Sequence, residues 1–159
     1  MLQKSIAETN KLTQYQDVND ILCSFTQGTI RIFKENLVGI YLTGSLSYGD
    51  FNQNSSDIDI TIILRNPISL NELESIRHFH VQIEKEFSKW AKRLECSYTP
   101  IEMLPSILPP KKPRPWYWGD EGILYDEALY GNEWIINNDL LYNYAIPLFG
   151  PDFKELTGP

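Results

Sequence analysis

The spacing of apolar residues predicts alternating helices and strands along the first part of the chain. Apolar side chains recur at helical spacing between residues 14 and 36, which predicts a first helix there. Residues 37–42 form a short, almost continuous apolar run with β-branched members, and such a run is typical of a buried strand. Residues 46–56 are rich in Ser, Gly and Asn and predict a loop, or a short helix followed by a loop.

The pattern continues with a second strand, a long helix and a third strand. Residues 57–64 alternate and are rich in Ile, which predicts a strand. From Leu73 to Leu94 the apolar positions are spaced by three and four, so an amphipathic helix of about 20 residues is expected. Residues 94–99 predict a third strand, which ends where Pro100 breaks the hydrogen-bond ladder.

The remaining third of the chain carries a weaker pattern. Six of the ten prolines lie between residues 100 and 115, which predicts an extended connector. The last apolar segment, residues 140–149, is expected to be helical and interrupted by Pro147. The order of helix, strand, strand, long helix and strand indicates an α/β or α+β layer in which helices cover a small sheet.

Composition and charge narrow the class of protein. The chain is 42% hydrophobic and 22% charged, which fits a globular domain with a hydrophobic core. Its 14 basic and 21 acidic side chains give a net charge of −7, which excludes a nucleic-acid binder that relies on bulk positive charge. Residues 1–114 are neutral overall, with 13 charges of each sign, so the whole imbalance lies in the last 45 residues.

Cysteine use and hydropathy predict a cytoplasmic protein. Cys23 and Cys96 match neither a disulfide framework nor a metal-binding spacing, so we expect both to be reduced and packed. The first ten residues contain no apolar signal segment, and no stretch approaches 18 uninterrupted apolar residues. Neither export nor membrane insertion is therefore expected.

The residues with the clearest chemical potential lie around the second predicted strand. Asp57 and Asp59 are two apart on a strand, so both carboxylates are expected on the same face. Two like charges held this close favour a divalent cation between them, and Mg²⁺ combines carboxylates with phosphate oxygens. Gly44 and Ser45 end the preceding strand, where a small residue and a hydroxyl group allow a phosphate to approach. Taken singly, each feature is more often a solvated strand face or a plain turn.

Their combined layout resembles a known family. Gly44-Ser45, followed after a polar loop by Ser56-Asp57-Ile-Asp59, is similar to the signature of the DNA polymerase β-like nucleotidyltransferase superfamily, and most similar to its aminoglycoside adenylyltransferase branch. A later strand in that branch carries a third carboxylate between a hydrophobic and a small residue, which Leu94-Glu95-Cys96 matches. Residues 131–156 resemble the end of the branch's nucleotidyltransferase domain, where the chain passes into a helical domain.

The resemblance implies a fold and a role for each matching residue. It implies a small mixed sheet flanked by helices, with residues 1–115 as the nucleotidyltransferase core and residues 116–159 as an acidic extension of the same domain. Ser45 would contact the nucleotide phosphates and Ser56 would support the phosphate or ribose. Asp57, Asp59 and Glu95 would form the metal site, in which Glu95 takes the proton from the attacking hydroxyl group.

Glu95 has one rival for this role. The odd positions of its strand, from Glu95 to Thr99, are polar, so they are expected to share the face of Asp57 and Asp59. Glu102 follows Pro100 and has left the strand, which makes it the less favoured candidate.

The implied reaction is attack of a hydroxyl group on the α-phosphorus of ATP, with Mg²⁺ bound and pyrophosphate released. The implied acceptor is a cationic aminoglycoside, which the acidic last 45 residues would attract. Two alternatives remain open: a minimal nucleotidyltransferase that modifies a protein, as in toxin–antitoxin pairs, and a catalytically silent nucleotide-binding domain.

Several other residues have ordinary structural interpretations. His80 lies on the apolar stripe of the long helix, where packing is its usual role. A basic cluster among prolines is usually solvated, and a buried Trp usually packs, although either type is able to contact a nucleotide or a sugar ring. The residues concerned are Lys111, Lys112, Arg114, Trp116, Trp118 and Trp134.

Overall fold

The structure, a computed structural model, describes residues 13, 15–44 and 57–157. Within these residues helices flank a six-stranded sheet. The helices are α1 Gln16–Phe33, α2 Leu70–Glu86, α3 Ser88–Ala91, α4 Glu133–Tyr144 and α5 Phe153–Leu156, with short 3₁₀ helices at Lys34–Asn36 and Ile101–Met103. The strands are β1 Leu37–Thr43, β2 Ile58–Leu64, β3 Leu94–Pro100, β4 Arg114–Trp118, β5 Ile123–Ala128 and β6 Ile146–Phe149.

The sheet is mixed, with the strand order β5-β4-β3-β2-β1-β6. Strands β2 and β3 are parallel, and α2 and α3 lie between them in the chain, because parallel neighbours need a crossover connection. The other neighbouring pairs are antiparallel. This arrangement confirms the predicted class, a small mixed sheet flanked by helices.

Helices α1 and α2 pack on one another and help to form the main hydrophobic core. A capping box fixes the start of α2: the Ser69 hydroxyl accepts from the Glu72 amide at 3.1 Å, and the Ser69 amide donates to the Glu72 carboxylate at 2.9 Å. Gly28 lies where α1 meets α2, since a Cβ atom there would overlap the ring of Phe79. A glycine that weakens α1 as an isolated helix therefore allows close packing.

A histidine lies inside this core. The Nε2 atom of His80 is 2.7 Å from the Tyr98 hydroxyl oxygen, and its ring stacks on Tyr117 with the centroids 4.0 Å apart. The Tyr117 hydroxyl donates to Glu84 at 2.5 Å, while His80 Nδ1 is buried without a hydrogen-bond partner among the described residues. Burial lowers the pKa of His80 to about 3, so the imidazole is neutral at physiological pH.

The prediction for residues 140–149 is wrong in its second half. Helix α4 ends at Tyr144, and Ile146–Phe149 forms strand β6, which pairs with β1. Strand β6 is at the edge of the sheet, and an edge strand tolerates the missing amide donor of Pro147. A local apolar pattern does not reveal that β1 has an open edge for this segment to join.

The hairpin of β4 and β5 was also absent from the sequence-based prediction. Strand β4 begins inside the proline-rich segment that we expected to be only a connector. Its pairing with β5 shifts register between Arg114 and Trp116, and regular pairing with β3 begins at Trp116. Pro115 therefore occupies an irregularity in the ladder, a position that proline tolerates.

Among the described residues, no helix combines the length and the apolar character needed to cross a bilayer.

Candidate active site

The register of the central strands brings the predicted carboxylates to one place. Thr43 at the end of β1 is paired with Asp59 on β2, and Asp59 is paired with Glu95 on β3. Directly paired residues point to the same face of a sheet. Asp57 lies two positions before Asp59, just ahead of β2, so the Asp57, Asp59 and Glu95 carboxylates gather on the sheet face opposite the core of α1 and α2.

All three carboxylates line one cavity of about 590 Å³. Gly44 lines it at the end of β1, and the polar face of β3 contributes Ser97 and Thr99 beside Glu95. This is the face that the alternation of β3 predicted. A cavity of this volume falls within the range of small-molecule sites, about 300–1,000 Å³. Glu102 is exposed on the 3₁₀ helix and is not part of the lining.

Crowding of negative charge has a clear effect on Asp59. Burial, and then the negative charges of Glu95 and Asp57, raise the pKa of Asp59 to about 7. A hydrogen bond between the Asp59 and Glu95 side chains contributes in the same direction. One proton shared between these carboxyl groups therefore relieves part of the repulsion.

The same residues are the candidates for holding a metal ion. Three carboxylates around one cavity are the donor type that Mg²⁺ prefers, and a cation would relieve the repulsion that raises the Asp59 pKa. As the side chains stand, however, no three His, Cys, Asp or Glu residues in the described ranges are arranged to hold a metal together. The donor set suits Mg²⁺, and in the present arrangement the Asp59 and Glu95 side chains are hydrogen-bonded to each other.

Gly44 allows the close approach of strand β1 to Asp59. Its φ of 80° lies in the left-handed region, and a Cβ atom there would be 2.5 Å from Asp59 Oδ2. A larger residue would therefore displace the carboxylate. The other two residues assigned to nucleotide binding, Ser45 and Ser56, lie outside the described residues.

Two residues of β4 that were given structural interpretations reach the site. The Trp116 indole N–H donates to Glu95 Oε1 at 3.1 Å. Arg114 is buried, and its guanidinium donates to Ser97 Oγ and to the carbonyl oxygens of Ala128 and Leu129, each at 3.0 Å. Burial lowers the Arg114 pKa. The sequence signal was a Trp at alternating strand spacing, which becomes informative only once the pairing of β4 with β3 is known.

Helix α4 and the segment before it form the far wall of the cavity. Tyr130, Glu133, Trp134 and Asn137 line it from this side. Glu133 is the single lining residue drawn from the acidic side chains of residues 115–159 as far as the structure describes them. Trp134 is buried and donates to the Ser106 carbonyl oxygen at 3.0 Å, so it is mainly a packing residue.

Two lysines and one tryptophan that were considered as candidate nucleotide contacts do not line the cavity. Lys111 and Lys112 are exposed and absent from its lining, in agreement with their solvated interpretation. Trp118 is 37% exposed on the same strand as Trp116 and is also absent from the lining.

Comparison with known proteins identifies the domain. Residues 22–99, which contain β1, β2 and all of β3 except Pro100, match the nucleotidyltransferase domain family. Among solved structures, the fold is similar to spectinomycin adenyltransferase AAD(9) from Enterococcus faecialis, crystallised with ATP and spectinomycin, with a TM-score of 0.64 and 21% sequence identity. The match covers 92% of this chain and 60% of that protein, so the chain spans about 60% of its length. A search of curated protein sequences finds no match. Residues 22–99 are therefore similar to nucleotidyltransferase domains, and the fold of the chain is similar to that of an adenyltransferase.

Proposed function

We propose that this chain transfers AMP from ATP to a hydroxyl group of a cationic, aminoglycoside-type acceptor and releases pyrophosphate. One observation carries the proposal: Asp57, Asp59 and Glu95 line a single cavity on the open face of a nucleotidyltransferase domain. Three acidic groups around a cavity are costly unless a bound cation or a cationic substrate offsets their charge.

Each carboxylate has a role that follows from its place. Asp57 and Asp59 would hold Mg²⁺, and a bound Mg²⁺ would supply positive charge against the triphosphate of ATP. Glu95 would accept the proton of the acceptor hydroxyl while the new bond from that oxygen to the α-phosphorus forms and the bond to the pyrophosphate oxygen breaks. Gly44 and Ser45 would allow the triphosphate to approach the end of β1.

The charge of the cavity supports a cationic acceptor. Its described lining has four carboxylates, those of Asp57, Asp59, Glu95 and Glu133, against the single guanidinium of Arg114. Because Arg114 Nε and Nη1 are already bonded to Ser97 and to two carbonyl oxygens, much of its donor capacity is used within the protein. The structural neighbour was crystallised with ATP and spectinomycin, which supports the same pair of substrate classes here.

The decisive experiment measures pyrophosphate release from ATP and Mg²⁺ with a panel of aminoglycosides and spectinomycin. We expect release with at least one drug, and the adenylylated drug should appear in the same reaction by mass spectrometry. The Glu95→Gln variant serves as the control, because it keeps the shape of the side chain and removes the proton acceptor. A folded wild-type chain that releases no pyrophosphate with any acceptor would contradict the proposal.

A further inference from the structure

A glutamate that acts as a general base has to be held in place. Its side chain has three rotatable bonds, and a proton acceptor must lie within about 2.6–3.2 Å of the proton donor that it serves. A nearby cation would also attract both carboxylate oxygens. The protein therefore needs a contact that fixes Glu95 without neutralising its charge.

Trp116 provides a contact of this kind. Its indole N–H is a neutral donor, and it bonds to a single oxygen, Oε1, of the Glu95 carboxylate. The nearby cation, Arg114, donates instead to Ser97 and to the carbonyl oxygens of Ala128 and Leu129. Trp116 therefore helps to orient Glu95 without offsetting its negative charge, alongside the hydrogen bond that joins the Asp59 and Glu95 side chains.

The indole ring is itself held firmly. Trp116 lies between Ser97 of β3 and Tyr125 of β5 in the sheet. Its ring stacks on those of Trp118 and Tyr125, with centroid distances of 5.8 and 5.7 Å and interplanar angles of 20° and 21°. Stacking on both neighbours restricts rotation of the indole, so the direction of its N–H is set by the hairpin of β4 and β5.

From this geometry we infer that Trp116 is the positioning residue of the general base. Its N–H holds Oε1 of the Glu95 carboxylate beside the cavity that both residues line, where Glu95 would accept the proton of the acceptor hydroxyl. The catalytic role of Trp116 rests on the proposed function, whereas the hydrogen bond between Trp116 and Glu95 is independent of it. It also gives β4, which lies beyond the residues that match the family, a part in the reaction.

The test uses two matched tryptophan substitutions. Trp116→Phe keeps an aromatic ring in the stack and removes the N–H donor, and Trp90→Phe makes the same change outside the cavity lining, where the indole N–H donates to Asp17 at 2.8 Å. We expect kcat to fall about 10- to 100-fold in Trp116→Phe, the range typical of residues that orient a functional group, with KM for ATP within about twofold of wild type. Trp90→Phe should retain kcat within about twofold.

A measurement independent of activity tests the contact. The chain has four tryptophans, so the ¹⁵N–¹H spectrum of the full chain contains at most four indole signals. The signal lost in Trp116→Phe should shift in Glu95→Gln, and the other three should remain close to their wild-type positions.

The outcomes separate this inference from the proposed function. If the wild type is active and Trp116→Phe retains the wild-type kcat, the positioning role is wrong and the proposed function stands. The same holds if the Trp116 indole signal does not shift in Glu95→Gln. An inactive but folded wild-type chain contradicts the proposed function, and the catalytic role of Trp116 fails with it.

Discussion

At the scale of single residues, the feature that defines the site is the negative charge of Asp59 and its neighbouring carboxylates. Asp59 lies between β1 and β3, with Gly44 close on one side and Glu95 bonded on the other. Its charge opposes folding, because burial and two neighbouring carboxylates disfavour the ionised form. A residue that costs stability and lines a cavity is more easily explained by function than by folding.

Replacing Asp57 or Asp59 by Asn should abolish turnover while the fold remains. We expect pyrophosphate release to fall by about 100-fold or more, since metal ligands matter at least as much as their outer-shell partners. The melting temperature of Asp59→Asn should be no lower than that of wild type, because the substitution removes a buried charge. Release assays and thermal melts in parallel check both expectations.

The matched control for that prediction is Asp139→Asn, which removes one negative charge from an exposed position outside the cavity lining. It should leave turnover near the wild-type rate. Near-normal adenylylation by either site variant would instead remove the metal-binding assignment.

At the scale of elements, helix α2 contacts the core face of the sheet through a buried histidine. His80 extends from α2 to Tyr98 on β3 and Tyr117 on β4, so it joins the two strands that carry Glu95 and Trp116. Its neighbours are aromatic, and a protonated ring there would be poorly solvated. The contact therefore makes the packing of α2 sensitive to acid.

The contribution of His80 to the stability of the chain should fall with pH, opposite in sign to that of Asp59, whose pKa is raised. The pKa of His80 is about 3 in the folded protein and about 6.5 in an unfolded chain, so the unfolded state binds the proton first as the pH decreases. The stability contributed by the neutral ring is complete above pH 6.5 and is lost as the pH falls toward 3. Between pH 7 and pH 5 the free energy of unfolding should decrease by about 2 kcal/mol from this residue.

Denaturant unfolding at the two pH values measures this effect. His80→Gln removes the titrating group and should remove that loss, so the free energy of unfolding at pH 5, relative to pH 7, should be about 2 kcal/mol higher than in wild type. His78→Gln, at an exposed position two residues earlier, should leave the dependence unchanged. Equal slopes in wild type and His80→Gln would show that other groups cause the acid sensitivity.

At the scale of the whole molecule, the sheet joins the neutral and acidic parts of the chain. Strands β1, β2 and β3 come from the part that matches the family, while β4, β5 and β6 come largely from the remainder. Leu148 on β6 is fully buried in the main core, and Phe153 packs edge-on against Tyr41. We therefore propose that residues 116–159 extend the same domain rather than form a second one.

A chain shortened to residues 1–115 should lose cooperative unfolding. The cut removes three of the five residues of β4, all of β5 and β6, and the far wall of the cavity, and it exposes the edges of β1 and β3. Calorimetry should show a single transition for the full chain and none, or a much smaller one, for the short chain. An intact transition in residues 1–115 would place a domain boundary there.

Much of the site was predictable because its residues are close in sequence. Asp59 lies on β2 and Asp57 comes just ahead of it, and their spacing of two predicts a common face whatever the partners of that strand are. The alternation of β3 likewise predicts that Glu95, Ser97 and Thr99 share one face. The class of fold followed from the order of apolar patterns and from the resemblance that Gly44 and the carboxylates carry.

The tertiary structure decided which distant segments meet. The chain pairs β4 with β3 despite the surrounding prolines, and it uses residues 146–149 as an edge strand instead of a helix. Non-local pairing depends on free strand edges and on the shape of the whole core, which no short window of sequence records. For that reason the sequence alone determined the carboxylates and their shared face, whereas the register of β4 decided that Trp116 holds Glu95.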